Sequence, residues 1–455
     1  MAGTWPKVIR DPVHGLIPFE DEPCDRLLWD LINAREFQRL RRIKQLGVCE
    51  LVFPGANHSR FAHSIGVMHV ARSFLARIRR VWPELLDEER ETLVLAAALI
   101  HDVGHGPFSH SFESVTGDRH ESRTLEIILD PSTEIHQCLA SHGPCAELPR
   151  KIAAFFDSRE GTDRLASDEF PSFLIQIVSS QLDADRFDYL QRDSHATGAD
   201  YGRFDWKWLI HHLDIDRERG RFYLNAKALA EAERYVFARY HMYRTVYFHK
   251  ASRAVEVMLR LIFKRFKELV ELAGTGLDIP SIVPGAPVAV LSVFSAMPSL
   301  PVYLALDDHA MTELFKACAR GDDPLLKELG EGLVNRKLYK AVDVTFVPPR
   351  ATALFQAAAI DAIRSAGLDP DYALVADSPS DTPYKPYDPD AQNAVNQILI
   401  ASPTHGWQEL SQASRSVDTI QKEYSLLRYY FPERIRDMIV SIAEEHLKPN
   451  SPRSC

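Results

Sequence analysis

Along most of the first 270 positions apolar residues recur at spacings of three and four with few internal prolines, the period of amphipathic helices. Ala34 to Leu46 carries Phe37, Leu40 and Ile43 on one side and Arg35, Arg39 and Arg42 on others. The same spacing predicts helices from His58 to Val81, Glu88 to Val103, Glu121 to Leu129, Pro171 to Leu182 and Ala226 to about Leu272. Strand signals are sparse there. Beyond Leu272 the pattern changes, because Pro280, Pro284, Pro287, Pro298 and Pro301 punctuate short β-rich runs. These runs are Val288 to Phe294, Val302 to Leu306, Lys340 to Phe346 and Tyr372 to Ala376. Ser378 to Asp390 sets four prolines among polar residues and reads as an exposed loop, and Val417 to His446 returns to helical spacing, broken at Pro432. The fold class is therefore mainly α, with a helical core over residues 1–272 and a smaller mixed α/β C-terminal lobe over 273–377. A proline-rich loop (378–390) then leads to a C-terminal helical segment (391–455) expected to pack on the core or form an oligomer interface.

Composition narrows the class. The 455 residues are 45% hydrophobic and 25% charged, which excludes collagen-like, disordered and disulfide-scaffold chains. No uncharged apolar run approaches the roughly 20 residues of a membrane span, and Met1 to Arg10 lacks a signal-peptide core. A cytoplasmic protein with no membrane partner is expected. Fifty-three Lys and Arg against 63 Asp and Glu give a net charge of -10, which argues against extended nucleic-acid binding and requires a local basic site for any phosphate ligand. Six cysteines lie far apart with no CxxC pair and are expected to be free thiols. His136, Cys138, His142 and Cys145 have no zinc-finger spacing, and the Gly143-Pro144 turn suggests a loop rather than a metal site.

Histidine carries the chemistry. The apolar run Leu93 to Ile100 ends in His101-Asp102-Val103-Gly104-His105-Gly106, so a buried helix delivers an imidazole and a carboxylate into or beside a core. Such a pair needs compensation, which a divalent ion supplies. Gly104 and Gly106 let the backbone turn and approach a ligand closely. Upstream, Arg60 and His63 are three apart on one helix face, one for an anion and one for a metal. Downstream, the acidic stretch Gln181 to Asp193 supplies Asp185 beside Arg186. Each piece alone has a plainer reading, as a helix-end hydrogen bond, a cap or a solvated face. Together, His63, His101, Asp102 and Asp185 make a mononuclear site with open positions for water and a phosphate oxygen.

Taken in that order, these residues resemble the HD-domain phosphohydrolases, and within them the deoxynucleoside triphosphate triphosphohydrolases. The runs Phe37 to Gly47, Phe53 to Ser64, His101 to His110, Asp11-Pro12-Val13-His14-Gly15, Asp185 to Asp193 and Tyr247-Phe248-His249-Lys250 carry the likeness over about residues 7 to 260. The expected form is the standalone bacterial one, without the N-terminal SAM domain of the mammalian branch. The resemblance implies an HD-domain core with one divalent ion per active site. Manganese, iron, zinc, nickel and magnesium all suit two imidazoles and two carboxylates. It implies hydrolysis of a dNTP to a deoxynucleoside and inorganic triphosphate by water attack on the α-phosphorus. His120 matches the catalytic histidine, with His105 and Glu113 as the pair that orients it or the water. Arg60, Arg186, Tyr189, Arg239 and Lys250 fall at or near phosphate positions, with Arg239 and Lys250 read as eleven apart on one helix, and His110 is a further substrate-binding position. Gln45 and Asp193 match partners of the 3′-OH, Leu46 packs on the sugar, and Tyr247 crowds the 2′ carbon. Lys7, Asn33, Gln38 and Arg41 match a regulatory nucleotide pocket in which Asn33 replaces the acid that reads guanine. The resemblance also implies a homo-oligomer, dimer or tetramer, with altered or absent GTP dependence. Two other classes stay open: another enzyme on the same metal site, a nucleotidase or single-strand nuclease, and a non-catalytic nucleotide sensor, which would be expected to lose ligands.

Overall fold

A computed structural model describes residues 5–108, 112–113, 117–142, 147–157, 171–218, 220–273, 282–295, 298–382, 384, 397–404, 406–420 and 424–447. The chain opens with an antiparallel hairpin, β1 (Lys7–Asp11) and β2 (Gly15–Phe19), registered with Ile9 opposite Ile17. It points Ile17 and Phe19 inward under α1 (Pro23–Asn33). Two helices then build the floor of the molecule, α2 (Arg60–Val81) and α3 (Glu88–Ile100). The first turn of α3 carries three glutamates under an Asp87 cap that accepts from the Arg90 amide at 2.8 Å, both favourable at a helix N-terminus. Its C-terminal half, Leu93 to Ile100, is buried on every side, so the helix sits at the centre of the core with α1 and α2 against it.

Around this floor stand α4 (His120–Leu129), α5 (Ser172–Val178) and α6 (Ala184–Thr197). Helix α6 begins at the Asp183 cap and ends at Gly198, whose φ of 73° is the left-handed conformation that stops a helix. A second hairpin, β3 (Leu213–Asp216) and β4 (Arg221–Asn225), leads into α7 (Leu229–Met242) and then α8 (Lys250–Ala273). The distal segment holds α9 (Leu300–Leu304), α10 (Asp308–Arg320) and α11 (Pro324–Val334), which form a second apolar core with α8. A third cluster sits between α12 (Pro349–Ser365), α13 (Arg436–His446) and the sheet β5 (Lys340–Asp343), β9 (Arg428–Phe431), β6 (Val375–Asp377), in which β9 is central. Two further strands, β7 (Leu399–Ser402) and β8 (Gly406–Glu409), join the core sheet, with β7 parallel to β4.

The fold is mainly α with small sheets, as the apolar spacing predicts, but several elements differ. Ala34 to Leu46 is not one helix: it is one α turn (Arg35–Gln38) and a 3-10 turn (Arg39–Arg42), after which Ile43 is extended and Lys44 bridges to Ser59. Two of the expected strands are helical. Val288–Ser295 buries Val290 and Val293, three apart, and leaves Val288 at 81% exposure, which is a helix face. Leu300–Leu304 is helical behind a proline in its first turn. A short apolar run does not distinguish strand from buried helix by period alone. The strand at Lys340–Asp343 is present, and Tyr372 to Ala376 splits into a helical turn and β6. The segment beyond 391, expected to be helical, carries β7, β8 and β9, because its alternating positions pair with existing strand edges. Most of Ser378 to Asp390 lies outside the described residues.

Because α3 is both capped and wholly enclosed, its two ends predict different sensitivities. Asp87→Ala is expected to cost about 1 kcal/mol, whereas Leu99→Ala, at a position with no exposure, is expected to cost about 2–5 kcal/mol. Urea titration followed by far-UV circular dichroism measures both.

Candidate active site

The apolar floor of α3 ends where the polar chemistry begins. His101 Nδ1 lies 2.9 Å from the Ala98 carbonyl, which accepts its proton and leaves Nε2 facing outward from the helix end. On α2, His63 is also held by Nδ1, which donates to Asp188 Oδ2 at 2.8 Å. Both rings therefore present Nε2 to the same space, and they meet edge to face with centroids 5.3 Å apart. Asp185, in the first turn of α6, brings Oδ1 to 3.1 Å from His63 Nε2 and 3.8 Å from His101 Nε2. Asp102 completes the ring, 3.3 Å from His101 Nε2 and 3.8 Å from His63 Nε2. Bonds of about 2.0–2.2 Å to one cation set neighbouring donors roughly 3.0–3.5 Å apart. The contacts of 3.1 and 3.3 Å meet that spacing and those of 3.8 Å exceed it; His63, His101 and Asp185 keep their ligand atoms within 4.8 Å of one another, with Asp102 beside them.

Electrostatics agree with the geometry. Burial opposes charge on His63, but its bonds to Asp185 and Asp188 outweigh that and lift the imidazole to about 10. Burial likewise opposes ionised Asp185, and His63 more than offsets it, drawing the carboxyl down to about 2. A proton on His63 is thus the local answer to two carboxylates, and a divalent ion held in the same place would take over that charge. Arg60, buried on α2, bonds Asp102 from the other side.

Next to the donor ring lies a second constellation. His105 Nε2 is 3.3 Å from Asp102 Oδ1, and its Nδ1 is 3.7 Å from Glu113 Oε1. Glu113 Oε1 also accepts from His120 Nδ1 at 2.8 Å, and the two imidazoles stack 3.8 Å apart. Burial, reinforced by Arg60, holds His105 well below the usual histidine range, so it stays neutral at pH 7. Gly104 is what brings His120 so near: a Cβ on it would sit 2.2 Å from the His120 carbonyl oxygen and 2.4 Å from the Thr124 amide. Only glycine lets this loop lie against the start of α4.

These groups open into one cavity of about 770 Å³, within the size range of small-molecule sites. One face of α6 runs along it: Asp185, Tyr189 and Asp193 are spaced at four and eight, which covers about 12 Å of helix rise. At the far end Asp193 is clamped by Tyr247 Oη at 2.7 Å and His58 Nε2 at 2.7 Å. Gln45 and Leu46 line the wall opposite, and Gln45 Oε1 is buried without a hydrogen-bond partner.

The structure places Gln45, Leu46, Arg60, His101, Asp102, His105, His120, Asp185, Tyr189, Asp193 and Tyr247 on this cavity, with His63 and Glu113 immediately behind. Three predicted cations are not on its wall. Arg186 is turned onto Asp183 and the Ser180 carbonyl, and Arg239 lies behind Tyr243, bonded to Gln181. Lys250 is exposed, and the long helix predicted from Ala226 is broken there: a π-helical turn (Tyr243–Tyr247) closes α7, and the non-helical Phe248 and His249 separate it from α8. His110 lies outside the described residues. Arg119, Cys49, Arg253 and Glu256 line the cavity without having been singled out from the sequence. Arg119 had a signal, since it precedes His120 at the cap of α4. Lys7, Asn33, Gln38 and Arg41 do not line this cavity. Lys7 sits 5.9 Å from the Trp29 ring, Asn33 bonds the Trp29 carbonyl, and Arg41 bonds Gln38. His136 and Cys138 lie on a separate helix, and Cys145 is outside the described residues.

Fold and site together define a phosphohydrolase of the HD type. Residues 60–142 match the HD-domain family and residues 204–275 the HD-associated region. The chain is 38% identical to the uncharacterised protein YwfO of Bacillus subtilis over 94% of its length and 92% of that protein. It is 31% identical to the human deoxynucleoside triphosphate triphosphohydrolase SAMHD1 over 74% of this chain, spanning 55% of that protein's length. Among solved structures, a phosphohydrolase of Bacteroides thetaiotaomicron superposes with a TM-score of 0.76 at 27% identity, covering 94% of this chain and all of the other. The chain belongs to the HD-domain family, in the branch related to the deoxynucleoside triphosphate triphosphohydrolases. Among the described residues no helix is long and apolar enough to cross a membrane.

If the four-donor ring holds one ion, the purified chain takes up a single equivalent of Mn2+. Asp185→Asn and His101→Ala are then each expected to abolish that saturable uptake while leaving the circular dichroism unchanged. Isothermal titration of chelator-stripped protein reads the outcome.

Proposed function

We propose that this HD phosphohydrolase cleaves dNTPs to deoxynucleoside and inorganic triphosphate. The observation that carries the reading is that one cavity joins the donor ring, the His105–Glu113–His120 relay and the Asp193–Tyr247 clamp. A divalent ion held by His63, His101, Asp102 and Asp185 supplies Lewis-acid polarisation and a more acidic water. The rest of the work falls to the chain. Arg60, fixed by Asp102, offers its guanidinium to the phosphate end, and Arg119 adds a second cation at the rim. Water adds its oxygen to the α-phosphorus and gives up a proton to solvent, the bond from phosphorus to the 5′ oxygen breaks with its electron pair on that oxygen, and that oxygen takes a proton. His120 gives that proton, with Nδ1 held by Glu113 so that Nε2 faces the leaving group. His105, neutral and stacked on His120, keeps the pair aligned.

Sugar selection is assigned to the other end. Gln45 Oε1 accepts from the 3′-OH where the protein itself offers it no donor, and Asp193 is its second partner. Tyr247, locked to Asp193, fills the space a 2′-OH needs, so a ribonucleotide loses both fit and hydrogen bonds. We further propose that Lys7, Asn33, Gln38 and Arg41 form an outlying nucleotide pocket, and that the chain works as a dimer or tetramer without strict GTP dependence.

Incubation with Mn2+ and single dNTPs is expected to release triphosphate. Pyrophosphate or monophosphate instead would indicate another nucleotidase or a nuclease, and no product a sensor. His120→Ala is expected to lower kcat about 10²- to 10⁴-fold with unchanged Mn2+ binding. Added GTP is expected to alter the rate modestly at most, and an absolute requirement for it would overturn that part.

A further inference from the structure

The turn between β1 and β2, Asp11 to Gly15, is remote in sequence from every metal donor, and the reaction above gives it no task. Its ionisable side chains nevertheless end at the inner wall of the donor ring. Asp11 shapes the turn, with Oδ1 accepting from the Val13 and His14 amides at 2.8 Å each. Its other oxygen accepts from Arg192 Nη1 at 2.8 Å. His14 Nε2 donates to Asp188 Oδ1 at 2.6 Å. Arg192 gives Nε and Nη2 to the two oxygens of Asp188, both at 2.9 Å, and His63 Nδ1 takes the remaining place at 2.8 Å.

Asp188 thus receives four N–H groups, which fills the acceptor capacity of a carboxylate. It has no exposed surface. Burial alone pushes its carboxyl up, but Arg192 and the imidazole donors hold it well below the usual range. The fold also makes room for it: a Cβ on Gly66 of α2 would come within 1.9 Å of Asp188 Oδ1, so α2 gives up a side chain where α6 crosses it. As packing, such a circuit is a poor choice, because apolar residues of similar volume are often as stable or more so than buried ion pairs. What it delivers is one fixed atom. With Nδ1–H committed to Asp188, His63 turns Nε2 toward Asp185 and the donor ring.

We propose that Asp11, His14, Asp188 and Arg192 form a positioning circuit for the metal donor His63, so that the N-terminal turn is an outer part of the metal centre and sets its affinity. This rests on the metal-centre reading but not on the identity of the substrate. Asp188 links the two helices that carry His63 and Asp185, and His14 gives a second donor to Oδ1, the oxygen that Arg192 Nη2 also holds.

The test uses the full chain stripped with chelator, Mn2+ as the probe, and paramagnetic resonance of free Mn2+ as the readout, with metal-free melting curves as the control. Asp188→Asn is expected to weaken Mn2+ binding about 10- to 100-fold, and His14→Ala about ten-fold. His14→Gln, which restores an N–H near the Nε2 position, is expected to recover affinity to within about three-fold of the unaltered chain. That rescue separates positioning from mere packing. Full affinity in His14→Ala, or equal losses in the Ala and Gln variants, overturns the circuit; if Asp188→Asn does not fold, the His14 pair decides alone. A chain that takes up no Mn2+ overturns the circuit together with the metal centre. A chain that binds Mn2+ with these dependencies but releases no triphosphate sinks the proposed reaction and leaves the circuit standing.

Discussion

Burying charge away from water is the constraint around which the helical core is arranged. Asp102, Asp188, Arg60, Arg192 and His63 are all buried, directly above a helix whose C-terminal half is apolar on every side. A lone ion in such a place costs several kcal/mol even after relaxation. Each of these groups therefore abuts one of opposite sign: Asp102 meets Arg60, Asp188 meets Arg192, and His63 lies between Asp185 and Asp188. The alternation is complete on the Asp188 side, where four donors close the carboxylate. On the Asp102–Asp185 side it is not, and a proton on His63 makes up the difference. The proposed cation site is the place where the protein's own charges stop balancing.

The distal lobe is tied into the same arrangement from behind. Arg39, buried, bonds the Leu306 carbonyl at 3.0 Å and the His105 carbonyl at 2.8 Å, with its guanidinium over the Tyr303 ring. Tyr303 Oη donates to the Gly104 carbonyl at 2.7 Å. Asp308, which burial raises to about 6 against the pull of two backbone amides, accepts from Lys44 and Phe108. The loop from Gly104 to Phe108 is thereby clamped by residues some two hundred positions downstream. Its histidine is held by the core on one side and by α9 and the start of α10 on the other, so the lobe beyond residue 272 contributes to the geometry of His105.

How much of this was legible follows from which forces are local. The apolar periods of α2, α3 and α4 are set by burial of one helix each, and their limits stand within a few residues of those read from the spacing. The four ionisable groups above α3 were legible for the same reason, since a buried helix ending in His-Asp needs compensation wherever it lies. Arg186, Arg239 and Lys250 were read as cations for phosphate because charge is visible in a sequence, whereas the partner that claims it is not. Arg186 is taken by Asp183, its own helix cap. The strands beyond residue 391 were missed because a strand owes its state to partners distant in the chain: Ile400 pairs with Leu224, and Tyr429 sits between Val342 and Ala376.

The π-helical turn at Tyr243–Tyr247 shows how one local departure decides what the cavity contains. In an uninterrupted helix from α7 into α8, Arg239 and Lys250 would share a face, eleven residues being close to three whole turns. Here a π turn ends α7 and Phe248 and His249 lie outside any helix, so α8 starts afresh at Lys250 and that shared face is lost. Tyr243 and Tyr247 then both face the cavity, their rings 4.9 Å apart, and Tyr247 reaches Asp193. Lys250 is carried to the surface, and the next turns of α8 bring Arg253 and Glu256 to the cavity in its place. Arg253 is in turn held by Asp377 on β6. The wall of the cavity farthest in sequence from the donor ring is thus set by a helix defect and braced by the distal sheet.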